Sequence, residues 1–337
     1  MPATLSCVDP QLAGCGCQAG QLTWPQIDVL SLSDVHLVGH RCTLLDRRFR
    51  LISEHIGGTD NAIDCQLQSV DVWSAVVTCF ANWPRRVPSA FSLGGPYAFN
   101  FFHWLTDCLP TLAGYEAILA SGGERPALFV PPGLASWQIR SLELMGYPVG
   151  TYQEHSWTHT VVRRYYLTSW HKGFLYPEVP SPALIKWLKQ RICSSPAFGL
   201  SPVERMIFVD RSESRRPIQN PQALAEVFSR RGFRIVRLEE LPLDDQISLF
   251  VGARVVAGLH GAGFANLIFS EATWLFEISP TGQLQPCYRH LVHVLGGQYY
   301  LYQESAATQS DLPALSLDKL ELELDRFLGR LSLHLGD

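Results

Sequence analysis

From Met206 to Gln303 the chain alternates short apolar runs with amphipathic stretches, and this constrains the fold more than any other feature. Met206–Val209, Phe233–Leu238, Arg254–Gly258, Trp274–Ile278 and Tyr299–Gln303 read as strands. Helices are expected at Pro221–Arg231, Asp244–Val251, Gly263–Phe269 and Cys287–Leu295, with Asn220 capping the first and Gly232 ending it. Strands that alternate with helices at this spacing form a parallel sheet covered on both faces. Leu317–Leu331 follows as an amphipathic helix, with Asp318, Glu321 and Glu323 on its polar side.

The first half is less regular. Residues 101–120 read as a helix broken near Pro110, because proline removes a backbone donor there. Leu128–Val130 and Val161–Trp170 read as strands, and Ser136–Met145 and Pro182–Cys193 as helices. The loop-like stretch at 194–204 divides the chain. The expected domains are 1–195 and 196–310, with a terminal helix at 311–337 that packs back on the first domain.

A chain of 337 residues with 47% hydrophobic and 17% charged residues can bury two cores. Its formal charge of −4 offers no basic excess, which argues against nucleic acid as a partner. No apolar stretch is long and uninterrupted enough to span a bilayer, so membrane contact is expected to be peripheral at most. Nine scattered cysteines, with no export signal at the N-terminus, read as reduced thiols of a cytoplasmic protein. Oligomeric state is not legible.

Four clusters carry chemistry. The first is Val255–Phe269, where His260, Gly261, Ala262 and Gly263 follow a buried strand and open a helix. Ligands of open α/β sheets bind beyond the carboxyl ends of strands, and a helix N-terminus there presents N–H groups to phosphate. Glycines let a backbone approach a pyrophosphate, His260 can donate to it, and Asn266 lies one turn on. The plainer reading is a tight turn that needs glycine. The second cluster is Glu277, at the end of the next strand, suited to accept ribose hydroxyls, or else a solvated or capping residue. The third is Arg211–Arg216, where Arg211, Arg215 and Arg216 can neutralise a diphosphate or form a solvated loop. Asn220 is most simply a cap. Glu239, Glu240 and Gln246 flank the next turn, and Gln246 can equally be a surface residue.

The fourth cluster is Asn100–Asp107. His103 and Asp107 lie four apart, on one helical face. A carboxylate beside an imidazole can take a proton from a hydroxyl. Trp104, Phe101 and Phe102 would wall such a site with apolar rings. The alternative is a pair that only stabilises the helix, or a core histidine.

Other patterns fail. Cys287, His290 and His293 have no matching second ligand pair. There is no Asp-x-Asp to hold a metal against a diphosphate, and no Walker loop or G-x-G-x-x-G. Ser92, the nearest match to a nucleophile elbow, precedes the His-Gly loop, which is the wrong order for an esterase.

Together these residues resemble glycosyltransferase family 61. The likeness rests on three blocks: residues 100–112, Arg211 through Asn220, and Leu238–Ile278 with its Leu-Glu, Gln246, His260–Gly263, Asn266 and closing Glu277. Phe264-Ala265 stands where Leu-Thr is common, and the spacing from Arg216 to Asn220 is one residue longer than the family's pattern. The resemblance implies a GT-B-like architecture, two Rossmann-like domains facing a cleft, the second a doubly wound parallel sheet. It implies an inverting transfer of sugar from a nucleotide sugar, UDP favoured, to a hydroxyl of a glycan or glycolipid in polysaccharide (capsule) synthesis. Asp107 would be the base, oriented by His103. Arg211, Arg215, Arg216, Glu239, Gln246, His260, Gly261, Ala262, Gly263, Asn266 and Glu277 would bind the donor. No cofactor is expected, and leaving-group charge would fall to Arg, His and helix N–H groups without metal. A non-catalytic nucleotide- or glycan-binding protein on the same scaffold is the alternative.

Overall fold

The computed structural model describes residues 4–6, 21–23, 27–53, 77, 84–156, 159–169, 181–199, 205–211, 218–280, 286–304, 313 and 315–335. The chain divides into two compact units, residues 1–198 and 199–337.

In the first unit, β1 (Thr4–Ser6) pairs with β2 (Gln21–Thr23) as a small antiparallel ribbon. The main sheet has six strands: β3 (Val29–Val38), β4 (Thr43–Leu45), β5 (Arg85–Ser92), β6 (Ala127–Val130), β7 (Gln153–Glu154) and β8 (His159–Thr168). Their order is β4-β3-β8-β5-β6-β7. The run β8-β5-β6-β7 is parallel, while β3 and β4 add an antiparallel edge. Val35, Leu37, Phe129, Val162, Tyr165 and Leu167 build its core.

The sequence reading assigned no strand to β3, β4 or β5. β3 and β5 each break a local rule, and β4 is only three residues long. Asp34, with φ of 54°, drops out of the β3–β8 ladder, where Ser33 pairs with Arg164 and Val35 with Val162. Pro88 stands inside a central strand, where proline is rare because it cannot donate to a ladder. It is left out of both registers: β8 pairs with Val87 and then Ser89, and β6 joins only from Ala90.

Helices in this unit are α1 (Leu112–Ala120), α2 (Ser136–Leu144) and α3 (Pro182–Cys193). The segment ahead of α1 is helical but irregular: Phe101–His103 in α form, Trp104–Cys108 as a π turn, and Leu109–Thr111 as a 3-10 turn. The expected break near Pro110 takes this form. Proline lacks the N–H of a regular ladder, so the segment widens before it and tightens over it.

The second unit holds one five-stranded parallel sheet. Its strands are β9 (Met206–Val209), β10 (Arg234–Val236), β11 (Val255–Leu259), β12 (Trp274–Ser279) and β13 (Gln298–Gln303). They lie in the order β10-β9-β11-β12-β13. The helices α4 (Pro221–Ser229), α5 (Leu243–Gly252), α6 (Cys287–Val294) and α7 (Leu317–Leu335) separate or follow them. The expected helix after β11 is a 3-10 helix, Ala262–Phe269.

The order is that of a doubly wound sheet, and it has a switch point. From β9 the chain steps to β10, then crosses back past β9 to β11 and continues outward. Such sheets bind ligands beyond the carboxyl ends of the strands that flank the reversal. Here those strands are β9 and β11.

Side-chain alternation sorts the two faces. Phe208, Val255, Ala257, Phe276, Ile278 and Tyr302 share a core with α4 and α7. Val209, Gly258, Glu277 and Tyr299 fall on the opposite face by the period of two. Helix α7 buries Leu320, Leu324, Phe327 and Leu331 in that core, and Phe327 packs 5.2 Å from the Phe276 ring. Glu321 and Asp325 pair with Arg231 beside α4 at 3.1 and 2.7 Å. The apolar face expected to return to the first domain is thus consumed within the second, where the sheet needs a cover. Among the described residues no helix is long and apolar enough to cross a membrane.

Candidate functional site

At the switch point, Arg211 leaves the end of β9 and its Nη1 donates to the carbonyl of His260, just beyond β11. The guanidinium lies against Gly261 in the space a Cβ would fill. Gly258 is also required by close approach of backbone, and Gly263 lies against a leucine side chain. Gly258, with φ of 155°, has the Val209 carbonyl 2.7 Å from where its Cβ would stand, and Gly263 has Leu238 Cδ1 at 2.7 Å. The sequence reading gave Gly261 and Gly263 to an approaching pyrophosphate. Within the protein, Gly261 lies against Arg211, Gly263 against Leu238, and Gly258 against β9.

The 3-10 helix closes its first turn with Phe264 N–H donating to Gly261 O at 3.0 Å. The N–H groups of Ala262 and Gly263 precede that bond and have no carbonyl within their own turn, as at any helix start.

His260 Nδ1 is bonded to Glu277 Oε1, and Tyr299 Oη donates to Glu277 Oε2 at 2.8 Å. Glu277 is completely buried, whereas the His260 side chain keeps 18% exposure. A buried carboxylate is tolerable only when its oxygens are matched by donors, and both are. Burial, followed by the charge of Glu277, drives the Tyr299 hydroxyl far above the usual phenol range, so it stays a donor. The Tyr288 ring lies 5.1 Å from the His260 ring. Glu277 was expected to accept ribose hydroxyls. Its oxygens instead hold His260 and Tyr299, because it points into the sheet's covered face.

A second bonded set supports the first. Asn266 is buried and donates from Nδ2 to Gln246 Oε1 at 3.1 Å and to Gly263 O at 3.2 Å. Gln246 Nε2 in turn donates to the Leu238 and Leu241 carbonyls at 2.8 and 3.1 Å. Gln246 is therefore no surface residue. It ties α5 to the turn after β10, and Asn266 carries that tie to the glycine loop. Glu239 is exposed on the turn Leu238–Glu240 and enters neither set, and Glu240 pairs with Arg237 at 3.2 Å. Asn220 stands at the start of α4 without a side-chain cap bond, and its Nδ2 reaches the Leu315 carbonyl at 3.4 Å. Arg215 and Arg216 lie outside the described residues.

In the first unit, the helical segment begins beyond the carboxyl end of β5, within the parallel part of that sheet. Asn100 caps it, accepting from the N–H groups of Phe102 at 2.9 Å and His103 at 3.4 Å. His103 Nδ1 lies 2.8 Å from Asp107 Oδ2, and the two side chains are 30% and 24% exposed. A carboxylate only accepts, so Nδ1 carries the proton. Thr106 Oγ1 is 2.6 Å from Asp107 Oδ1 and 2.9 Å from Phe102 O, and its one proton serves either. Tyr97 stacks on His103 with centroids 4.8 Å apart. Asp107 is thus an oriented, half-open carboxylate.

Trp104, expected to line the site, is fully buried and donates to Ser141 Oγ at 2.8 Å. Phe102 is buried as well, and Phe101 packs edge-on against Trp137 at 5.1 Å. The rings beside the histidine are Tyr97, stacked on it, and Phe102, edge-on at 5.3 Å. The set Cys287–His290–His293 is helical packing, with Cys287 and His290 buried. Among the described residues no group of three His, Cys, Asp or Glu is arranged to hold a metal ion.

Sequence reasoning missed Tyr299, Tyr97 and Thr106. Only Asn100 left a signal there, as an Asn placed just before an apolar helical run.

The family model described as Glycosyltransferase 61 matches residues 101–274, just over half the chain. The match begins with the helical segment that carries His103 and ends at the start of β12. No curated protein matches the chain. The protein is a glycosyltransferase, with a donor and an acceptor as its substrates. It belongs to glycosyltransferase family 61.

Proposed function

We propose that this glycosyltransferase is an inverting, metal-independent enzyme of GT-B type. It takes a sugar from a nucleotide sugar, UDP favoured, and passes it to a hydroxyl of a glycan or glycolipid in cytoplasmic polysaccharide assembly, such as that of a capsule. The second unit holds the donor. Arg211, with Arg215 and Arg216 on the same segment, faces the diphosphate together with His260 and the N–H groups of Ala262 and Gly263. The first unit supplies the base.

In one displacement the acceptor oxygen bonds to the anomeric carbon as the bond from that carbon to the phosphate oxygen breaks. Asp107, oriented by His103 and Thr106, takes the acceptor proton. The electron pair leaves on the diphosphate, where fixed donors stabilise charge best because they need no reorganisation. The observation that carries this reading is Arg211 bound across the switch point, against Gly261 and on the carbonyl of His260. It fixes a cation where doubly wound sheets receive phosphate.

The test is a panel of nucleotide sugars, monitored for released nucleotide, run beside melting curves with UDP, GDP and ADP. A bound nucleotide at a hundred times its Kd stabilises by about 2.7 kcal/mol. UDP is expected to raise Tm most, and turnover is expected to survive a chelator. No shift with any nucleotide overturns the donor assignment, and loss of turnover that added metal restores overturns metal independence.

A further inference from the structure

We propose that Tyr299 is a positioning residue for His260, acting through the buried carboxylate of Glu277. The inference rests on the reading that His260 faces the donor diphosphate. Both Glu277 and Tyr299 lie beyond the residues matched by the family model, so the match assigns neither a task.

The geometry has three parts. Glu277 and Tyr299 sit on adjacent parallel strands, where Glu277 pairs in register with Leu301 and Leu275 with Tyr299. The two residues therefore share one face, offset by two positions, and the long tyrosine reaches the carboxylate. On its other side Glu277 pairs with Gly258, which has no side chain to compete for the carboxylate. Each carboxylate oxygen then has a different donor, Oε1 the His260 ring and Oε2 the Tyr299 hydroxyl.

A carboxylate held by one donor can rotate about its last bond, whereas two donors on separate elements fix its plane. The fixed plane sets the His260 ring and keeps the proton on Nδ1, which leaves Nε2 as the nitrogen for a ligand. From β9 the Arg211 guanidinium holds the His260 carbonyl, and from α6 the Tyr288 ring flanks the imidazole. Ring and backbone are thus held from three strands and a helix, and Tyr299 is the outermost support.

An orienting group acts on the transition state more than on ground-state binding, so its loss lowers kcat more than it raises KM. At metal-ligating histidines such outer partners are worth about 10–100-fold. Tyr299→Phe keeps the ring and removes the hydroxyl. In the full chain we expect kcat to fall about tenfold, with the donor KM changed by less than about twofold.

A proton held between an imidazole and a carboxylate gives a far-downfield proton resonance. It is expected in the wild type, lost in Glu277→Gln and displaced in Tyr299→Phe. Two results overturn the relay: no such resonance in the wild type, or a Tyr299→Phe variant with unchanged resonance and kcat. This spectrum needs no donor, so its outcome is distinct from failure of the donor assignment, which appears as a wild type that neither binds nor turns over a nucleotide sugar.

Discussion

Each unit carries a histidine bonded to a carboxylate beyond the carboxyl end of a parallel strand, and the two pairs are built in opposite ways. His103 and Asp107 are one helical turn apart, on the same segment, and both are partly open to solvent. His260 and Glu277 are 17 residues apart, on the ends of two adjacent strands, with the carboxylate sealed inside. A half-open carboxylate can meet a substrate and exchange a proton. A sealed one can only orient its partner. Under the proposed mechanism the working atom is therefore the carboxylate in the first unit and the imidazole in the second.

The largest effect that would test this contrast is at Asp107. Asp107→Asn keeps shape and removes the base, so kcat is expected to fall about 10²–10⁴-fold with donor affinity unchanged. Near-normal turnover in that variant would make the first pair structural.

On the second unit, Gly258→Ala places a Cβ against the Val209 carbonyl in a strained backbone region. It is expected to cost about 1–3 kcal/mol of stability, read as a lower Tm. An unchanged Tm would mean that β9 and β11 can part there without loss.

The smallest effect concerns acid. In the first unit His36 Nδ1 and His159 Nε2 are 2.8 Å apart, and His155 bonds to Gly39 O at 3.0 Å. Burial pushes His155 and His159 down to about 4, with nearby His36, Arg85 and Arg86 acting in the same direction. Burial also lowers His36, against the opposing pull of Asp46. The unfolded chain, with histidines near 6.5, binds protons that the folded unit refuses. Stability contributed by these groups is therefore full above about 6.5 and is lost as pH falls toward 4. Melting curves across that window should slope downward, and less steeply in His159→Gln.

How much of this was legible follows from distance along the chain. The His103–Asp107 pair was visible because a helix turns four-residue spacing into contact. Asn100 was equally local. Glu277 was found as a residue at a strand end, yet its bonds to His260 and Tyr299 were not legible, since nothing in TWLFEIS says which face is covered. Gln246 and Asn266 were singled out as donor-binding residues, and their ties to each other and to nearby carbonyls were not legible, because those partners lie 20 residues apart or on another turn. Tyr299 left no signal, being one tyrosine among three in QYYLYQ.

The sequence by itself determined the second unit's alternation, the glycine loop after β11 and the one-turn pair in the first unit. These depend on period and spacing, which local backbone geometry converts directly into position. Only the tertiary structure decided that β5 tolerates Pro88 at its centre, that α7 closes its own unit, and that Gly261 makes room for Arg211. It alone joined His260, Glu277 and Tyr299. Contacts of that kind are set by strand order and register, and no local pattern encodes which strand will lie beside which.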